Sequence, residues 1–280
     1  MLVFYKISEL KKHLSALLEK QKTIGFTPTM GALHQGHISL IKISQQQCDV
    51  SICSIFVNPT QFNNPDDLKR YPRTPDDDIK LLEQAGCDVL YMPEVADIYP
   101  TNNNRQFSFG YLDSILEGST RPGHYNGVGQ VVSILLEGIL PHKAFFGSKD
   151  YQQVMVVKEL VKQLKLPVEI ISCPILREDN GLAMSSRNAL LNQQERIIAS
   201  LVPQIMKQAN EIVKTKGVLE AKHFVNEITS LVSMMKLNYF EVCDARTLEI
   251  KDSYSQHQQY VSLIAVFVGK VRLIDNWLID

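Results

Sequence analysis

The chain has 280 residues, of which 45% are hydrophobic and 21% charged, and its formal net charge is -1 at pH 7. This composition is typical of a globular protein long enough for two domains, and the near-neutral charge argues against nucleic acid or an acidic membrane as a partner. The five cysteines include no C-x-x-C pair. They are expected to be reduced thiols, which favours a cytoplasmic protein.

The first part of the chain alternates short apolar runs with amphipathic helical patterns, after an N-terminus that lacks the uninterrupted apolar stretch of a signal peptide. The predicted strands are Thr23–Thr27, Val50–Val57, Asp88–Met92, Lys143–Phe146 and Val168–Cys173. The predicted helices are Gly36–Gln47, Pro75–Ala85, Val128–Leu140 and Tyr151–Leu164. This alternation predicts an α/β domain with a doubly wound, Rossmann-like parallel sheet. Such sheets bind ligands beyond the carboxyl ends of their strands.

After Arg177 the pattern changes to long helices followed by neighbouring strands. The predicted helices are Gln193–Lys216 and Leu219–Met235, and the predicted strands are Tyr239–Val242, Tyr260–Val268 and Lys270–Leu273. The most apolar of these, Tyr260–Val268, is shorter than the roughly 20 residues of a membrane helix, so we expect a buried strand. We therefore expect two domains, residues 1–176 and a smaller α+β domain of residues 177–280, with the substrate in a cleft between them.

The segment Thr27 to His37, TPTMGALHQGH, follows the first apolar run and opens a helical pattern. A strand, a glycine turn and a helix N-terminus present backbone N–H groups and a positive dipole end to phosphate. His34 and His37 are three residues apart and are expected to project from one side, where imidazoles stabilise a departing phosphate group. Two other interpretations remain open. One is that the pair belongs to a zinc site, although no third ligand has suitable spacing. The other is that both are ordinary surface histidines.

Two further segments combine positive charge with turn residues. Phe146–Gln153, FGSKDYQQ, follows a predicted strand and carries Lys149 as a mobile charge and Asp150 as a helix cap. Leu182–Asn188, LAMSSRN, combines hydroxyls with the Arg187 guanidinium, which together suit a triphosphate. Each segment alone also fits a purely structural role in capping a helix or pairing with an acid.

Two polar segments follow the second predicted strand. In Phe56–Phe62, FVNPTQF, the Gln61 amide both donates and accepts, so it suits a substrate with hydroxyls and a carboxylate, although N-P-T is also an ordinary turn. The acidic run Asp76–Asp78 follows Pro75 and has two interpretations, a contribution to magnesium binding or the acids of a helix N-terminus, of which we favour the second.

Together these segments resemble the pantothenate synthetase (pantoate–β-alanine ligase) family of the nucleotidylyltransferase superfamily. The resemblance covers nearly the whole chain and runs in order through PTMGALHQGH, FVNPTQF, RYPRTPDDD, RPGHYNGV, FGSKDYQQ, REDNGLAMSSRN and RLIDN. It implies ATP-dependent condensation of (R)-pantoate with β-alanine to (R)-pantothenate, AMP and diphosphate through a pantoyl adenylate. It also implies Mg²⁺ held mainly by the nucleotide, and a cytoplasmic homodimer without nucleic acid or membrane partners. A nucleotidylyltransferase acting on a phosphorylated acceptor and a silent nucleotide-binding regulator are the alternatives.

The resemblance also implies roles for individual residues. The catalytic residues would be His37, as the acid, with His34, Lys149 and Arg187. The ATP-binding residues would be Met30, Gly31, Ala32, Leu33, His34, Gln35, Gly36, His37, Gly147, Ser148, Lys149, Asp150, Leu176, Met184, Ser185, Ser186 and Arg187. Gln61 and Gln153, with Asn58 nearby, would bind pantoate and β-alanine, and no protein ligand to a metal is implied. Residues 1–176 would bind nucleotide and pantoate, and residues 177–280 would form a lid carrying a mobile Met184–Arg187 loop.

Overall fold

The computed structural model describes residues 1–63, 65–100 and 105–279. The chain divides into two compact units, the first formed by residues 1–148 and 152–174 and the second by residues 149–151 and 175–280. Each unit has a hydrophobic core of its own. In the part of the chain described, no helix is both long and apolar enough to cross a membrane.

The first unit contains a six-stranded sheet in which every pairing is parallel. Its strands are β1 (Leu2–Phe4), β2 (Ile24–Thr29), β3 (Val50–Ile55), β4 (Val89–Tyr91), β5 (Lys143–Gly147) and β6 (Glu169–Cys173). They lie in the order β1-β4-β3-β2-β5-β6. The predicted α/β fold class is thus confirmed, with one edge strand, β1, that the sequence pattern did not predict.

Helices cover both faces of this sheet. They are α1 (Ile7–Glu19), α2 (Gln35–Gln47), α3 (Pro65–Arg70), α4 (Pro75–Gln84), α5 (Val95–Ile98), α6 (Leu116–Thr120), α7 (His124–Ile139) and α8 (Tyr151–Leu164). Successive strand residues point to opposite faces. In β3, Ile52 belongs to the core cluster that contains residues of α1, α7 and α8, whereas Cys53 and Ile55 belong to the cluster that contains Ile38 of α2 and Leu82 of α4. This two-sided packing is the doubly wound arrangement.

The strand register brings the ends of three neighbouring strands together. Thr29 of β2 pairs with Ile55 of β3, and Phe26 of β2 pairs with Ala144 of β5. Because the strands are parallel, the segments that follow β2, β3 and β5 all leave from the same edge of the sheet.

The second unit is α+β, as predicted. It contains α9 (Gln193–Ala199), α10 (Leu201–Lys216), α11 (Val218–Leu231) and an antiparallel sheet of β7 (Met235–Asp244), β8 (Tyr260–Val268) and β9 (Val271–Ile279). The prediction of a buried strand at Tyr260–Val268 is confirmed.

Two helix predictions in this unit were wrong in extent. The predicted helix Gln193–Lys216 is two helices, since the chain turns at Ser200 between α9 and α10. The predicted helix Leu219–Met235 ends at Leu231, because Val232 is extended (φ -87°, ψ 111°), and Met234 then has a left-handed φ of 68° just before β7 begins. A non-glycine residue in that conformation has no clear sequence signal.

Candidate functional site

The predicted site residues of the first unit follow the carboxyl ends of β2, β3 and β5. The Met30–His37 turn follows β2, and a short 3₁₀ turn containing Gln61 follows β3. Gly147 is the last residue of β5, and Ser148 comes next. Since β3, β2 and β5 are adjacent in the sheet, the Thr27–His37, Phe56–Phe62 and Phe146–Gln153 segments start from neighbouring points on one edge.

The turn after β2 has an unusual backbone. Gly31 and Ala32 are both left-handed, with φ of 79° and 48°, and α2 starts directly after His34. We expected the N–H groups of this turn to point outward to a phosphate. Instead, Ala32 and Leu33 donate to the carboxylate of Asp78, at 2.9 and 2.7 Å. That expectation is corrected for these two groups.

The imidazoles of His34 and His37 lie together, with ring centroids 4.1 Å apart and both rings half-buried. His34 Nδ1 accepts the backbone N–H of Gly36 at 3.1 Å, and His37 Nδ1 accepts the backbone N–H of His34 at 3.3 Å. A neutral imidazole that accepts at Nδ1 carries its proton on Nε2. In its neutral form each ring therefore carries its proton on Nε2.

The Gln61 amide is held in place by two neighbours. Its Nε2 group lies 3.1 Å from Met30 Sδ, and its Oε1 accepts from Asn58 Nδ2 at 3.2 Å. Asn58 is 1% exposed, and its Oδ1 accepts from the hydroxyls of Tyr99 (2.8 Å) and Thr60 (3.1 Å). Asn58 is thus a buried support for Gln61, and the contact with Met30 joins the turns after β2 and β3.

Helix α7 supports the same turn from the RPGHYNGV segment. His124 is 6% exposed, and its Nδ1 lies 2.8 Å from the carbonyl oxygen of Gln61. Gly127 packs directly on the backbone of Thr60, where a Cβ would overlap, and its carbonyl accepts from Asn58 Nδ2 at 3.1 Å. Contacts from α7 therefore hold the backbone of Gln61 in addition to the contacts of its amide.

Helix α8 carries the second predicted substrate residue. Gln153 is half-buried in its first turn. The neighbouring Gln152 is 2% exposed and has a structural role, because its Oε1 accepts from the backbone of Glu117 and its Nε2 donates to the carbonyls of Leu112 and Ile115.

In the second unit, Lys149 and Asp150 lie in a 3₁₀ turn before α8, with their charged groups 3.6 Å apart. The backbone carbonyl of Lys149 accepts from Asn276 Nδ2 at 2.8 Å, and the Tyr151 hydroxyl donates to the carbonyl of Ala245 at 2.7 Å. Side-chain and backbone bonds thus hold this short segment on both sides of Asp150.

The REDNGLAMSSRN segment forms a short hairpin in the second unit. Met184 N–H donates to the carbonyl of the exposed Leu176 at 3.0 Å, and Arg177 and Ala183 form an isolated antiparallel bridge. Ser185 caps the 3₁₀ turn Ser186–Leu190 by accepting from the Arg187 N–H at 3.3 Å. The capping role that the sequence allowed for the serines is therefore present at Ser185.

A partly buried ion pair supports the hairpin. Arg177 binds Asp275 through two bonds of 2.7 and 3.0 Å, and its guanidinium lies 4.5 Å above the ring centroid of Trp277. The Asp275 side chain is 1% exposed, and it also accepts from the backbone N–H of Asn276 at 2.8 Å. The closing RLIDN segment thus holds both the hairpin and, through Asn276, the Lys149 turn.

Sequence reasoning assigned no such supporting roles to Tyr99, His124, Asp275 and Asn276, and it gave Asp78 only two other interpretations. One signal was available for Asp78. It lies four residues before Leu82, which is fully buried, so it falls on the apolar face of α4, whereas Asp76 and Asp77 do not. For the others, the contacts join distant parts of the chain and leave no local pattern.

Comparison with known proteins identifies the family. The family model for pantoate–β-alanine ligase matches residues 2–278. A pantothenate synthetase from Bacteroides fragilis is 46% identical over 276 residues, which cover 99% of this chain and 98% of that protein.

Two solved structures agree in fold over nearly the whole chain. The crystal structure of pantothenate synthetase from Thermus thermophilus has a TM-score of 0.90 and 35% identity, with 99% of each chain covered. The pantoate–β-alanine ligase from Francisella tularensis, complexed with beta-gamma ATP and β-alanine, has a TM-score of 0.84 and 39% identity, covering 99% of this chain and 97% of that one. The resemblance inferred from the motifs is confirmed, and the chain belongs to the pantoate–β-alanine ligase family.

Proposed function

We propose that this protein condenses (R)-pantoate with β-alanine in an ATP-dependent reaction that gives (R)-pantothenate, AMP and diphosphate. The observation that supports this most directly is the pair of His34 and His37 rings, each accepting a backbone N–H at Nδ1, in the turn whose Met30 contacts the Gln61 amide. Imidazole donors suit a phosphate, and an amide suits a substrate with hydroxyls and a carboxylate. Membership of the family supplies the identities of the two acids.

The reaction would proceed in two steps. In the first, the pantoate carboxylate attacks the α-phosphorus of ATP. The bond between the α-phosphorus and the oxygen that bridges the α- and β-phosphates breaks, and pyrophosphate leaves. In the second, the β-alanine amine attacks the acyl carbon of pantoyl adenylate, loses a proton and displaces AMP. A free carboxylate is a poor acceptor for an amine, and adenylation provides the leaving group.

The proposed roles follow the chemistry of each group. His34 and His37 donate from Nε2 to phosphate oxygens, with His37 as the acid, and Lys149 and Arg187 offset the growing negative charge of pyrophosphate. The rest of the Met30–His37 turn, Gly147 to Asp150, Leu176 and Met184 to Ser186 complete the ATP contacts. Gln61 and Gln153 bind pantoate, and Asn58 acts by holding Gln61.

The proposal includes Mg²⁺ bound together with the nucleotide. When bound, it would neutralise part of the triphosphate charge. The donors around the β2 turn are imidazoles and amides rather than free carboxylates, and Asp78 uses both oxygens for protein contacts. This donor set fits an ion whose ligands are mainly phosphate oxygens and water.

We further propose that residues 1–176 bind nucleotide and pantoate and that residues 177–280 act as a lid. The protein is proposed to be a cytoplasmic homodimer. Light scattering on the purified protein tests the dimer.

The test of the reaction is pyrophosphate release at high enzyme concentration. With ATP, Mg²⁺ and (R)-pantoate alone we expect a burst of one equivalent, and with β-alanine added we expect turnover. His37→Ala should slow the burst by roughly 10²–10³-fold, the usual effect of removing one donor to a developing charge. Absence of pantoate-dependent pyrophosphate in both conditions would reject the proposal, and phosphorylated acceptors would then be screened for the transferase alternative.

A further inference from the structure

Asp78 is a carboxylate on the buried face of a helix. It lies in the first turn of α4, is 2% exposed, and shares that face with Leu82. The side chain of its neighbour Asp77 is 80% exposed. Burial of an ionised carboxylate is unfavourable unless hydrogen bonds replace its water shell, so the partners of Asp78 indicate what its position achieves.

Those partners are the backbone of the histidine turn. Oδ2 accepts from the Ala32 N–H at 2.9 Å, and Oδ1 accepts from the Leu33 N–H at 2.7 Å and the Thr74 hydroxyl at 3.1 Å. Bonds from N–H groups to an ionised oxygen are stronger than bonds between neutral groups. The carboxylate therefore clamps two consecutive peptide groups directly before His34.

The turn has a conformation that requires such a clamp. Ala32 is left-handed, which is unfavourable for a residue with a Cβ, and it follows the left-handed Gly31. A Cβ on Gly31 would lie 3.0 Å from Asp78 Oδ2 and 3.1 Å from Ile55 Cγ2, so the turn is packed closely against the carboxylate. These contacts fix the direction in which the chain enters α2 and thereby the positions of both imidazoles.

We propose that Asp78 is the positioning residue of the adenylation step: its carboxylate locks the Gly31–Leu33 backbone so that the Nε2 atoms of His34 and His37 face the triphosphate. This inference rests on the proposed function. It differs from a magnesium role for Asp78, because both oxygens already accept bonds from the protein.

The test compares Asp78→Asn with Asp77→Asn. In Asp78→Asn one carboxylate oxygen becomes an NH₂ group, which cannot accept the N–H of Ala32 or Leu33. One of these two hydrogen bonds is therefore lost, and the Gly31–Leu33 backbone should change conformation. We expect the pantoate-dependent pyrophosphate burst to slow by about 10- to 100-fold, as for the loss of a bond to a charged group, with weaker ATP binding and unchanged pantoate binding. Asp77→Asn should behave as wild type in all three measurements.

A spectroscopic readout separates positioning from a general loss of stability. In protein labelled at histidine Cε1, the ring signals of His34 and His37 should shift in Asp78→Asn, and those of His13 and His223 should not. If Asp78→Asn does not fold, Thr74→Val removes only the hydroxyl bond to the same carboxylate and should slow the burst a few-fold, in the same direction.

Several outcomes would overturn the inference. A wild-type burst with unshifted ring signals in Asp78→Asn would do so, as would recovery of its burst at raised Mg²⁺ or an equal defect in Asp77→Asn. A wild-type enzyme without pantoate-dependent pyrophosphate would instead reject the proposed function. In that case ATP titration and the ring signals still decide whether Asp78 positions the turn.

Discussion

The side-chain amide of Asn276 donates a hydrogen bond of 2.8 Å to the backbone carbonyl of Lys149. Asn276 is 5% exposed and directly follows Asp275, the partner of Arg177. One short β9 segment therefore supports both the Lys149 turn and the hairpin that starts at Arg177.

Asn276→Ala should disturb catalysis more than stability. Loss of one hydrogen bond of this kind costs about 1 kcal/mol, but a small displacement of a group that contacts a transition state lowers kcat by about tenfold or more. We expect kcat to fall and the KM for ATP to rise, with the KM for pantoate unchanged. Asn238→Ala is the control, since Asn238 is exposed and its side chain contacts Arg272. Wild-type kinetics in Asn276→Ala would show that the Lys149 turn does not need this bond.

Gly147→Ala tests whether the end of β5 is kept small for a ligand. A Cβ at this position would meet no atom within 4 Å, and Gly147 does not have a left-handed φ. The folded structure therefore gives no reason for glycine, and replacement should leave stability unchanged or raise it by about 0.4–1 kcal/mol. If the nucleotide approaches this backbone, the Kd for ATP should rise by at least about tenfold.

The matched control for Gly147→Ala is Gly25→Ala on β2. Its Cβ would overlap Ser44 Oγ and lie 3.0 Å from Phe145 Cε2, so it should destabilise the fold by about 1–3 kcal/mol. Thermal unfolding and ATP titration of both variants separate the two effects. Unchanged ATP affinity in a stable Gly147→Ala variant would remove this position from the proposed site.

The sequence predicted every strand of the parallel sheet except β1, the helices α2, α4, α7 and α8 around it, and the polar segments, because those features depend on local patterns. Apolar periodicity marks each of these strands and helices, and a turn that follows a parallel strand must lie at its carboxyl end. The supports of the site were not predictable in this way. Asp78 contacts Ala32 across 46 residues and Asn276 contacts Lys149 across 127, and three consecutive acids, Asp76 to Asp78, look alike until the packing of α4 separates them.

Thiol reactivity provides a test of the packing. All five cysteines are free; Cys48 is half-buried and the other four are buried. Burial raises the pKa of the Cys87 and Cys173 thiols to about 11 and that of Cys243 to about 12, and it also raises the pKa of Cys48 and Cys53. Since the thiolate is the reactive form, alkylation of the native protein at pH 8 should be slow and should begin at Cys48. Cys48→Ser should abolish that first modification, and rapid labelling of a second cysteine without denaturant would contradict the packing.

The same pKa shifts predict the pH dependence of stability. A thiol whose pKa is higher in the folded state than in the unfolded chain stabilises the fold fully below the unfolded value, near 9. That contribution decreases as the pH rises through the folded values of about 11 and 12. The free energy of unfolding from urea titrations should therefore fall between pH 9 and 12, and Cys243→Ala should make the fall less steep.

The Tyr99–Asn58 contact predicts a coupling that a double-mutant cycle measures. Burial raises the pKa of Tyr99, so its hydroxyl remains a donor to Asn58 Oδ1 at neutral pH. In Tyr99→Phe the Thr60 hydroxyl remains as a donor to Asn58 Oδ1. We therefore expect the free energy of unfolding to fall by only about 0.5–1.5 kcal/mol and the KM for pantoate to rise slightly. Asn58→Ala also removes the bond to Gln61 Oε1, so it should raise that KM further.

In the double variant, Tyr99→Phe should add little to the effect of Asn58→Ala, because the hydroxyl acts on Gln61 only through Asn58. A coupling energy above about 0.5 kcal/mol in the KM for pantoate would support this relay. Strictly additive effects would mean that Tyr99 supports the fold without influencing Gln61. Since Asn58 is 1% exposed, we expect it to influence the affinity for pantoate through its bond to Gln61 rather than by contacting pantoate itself.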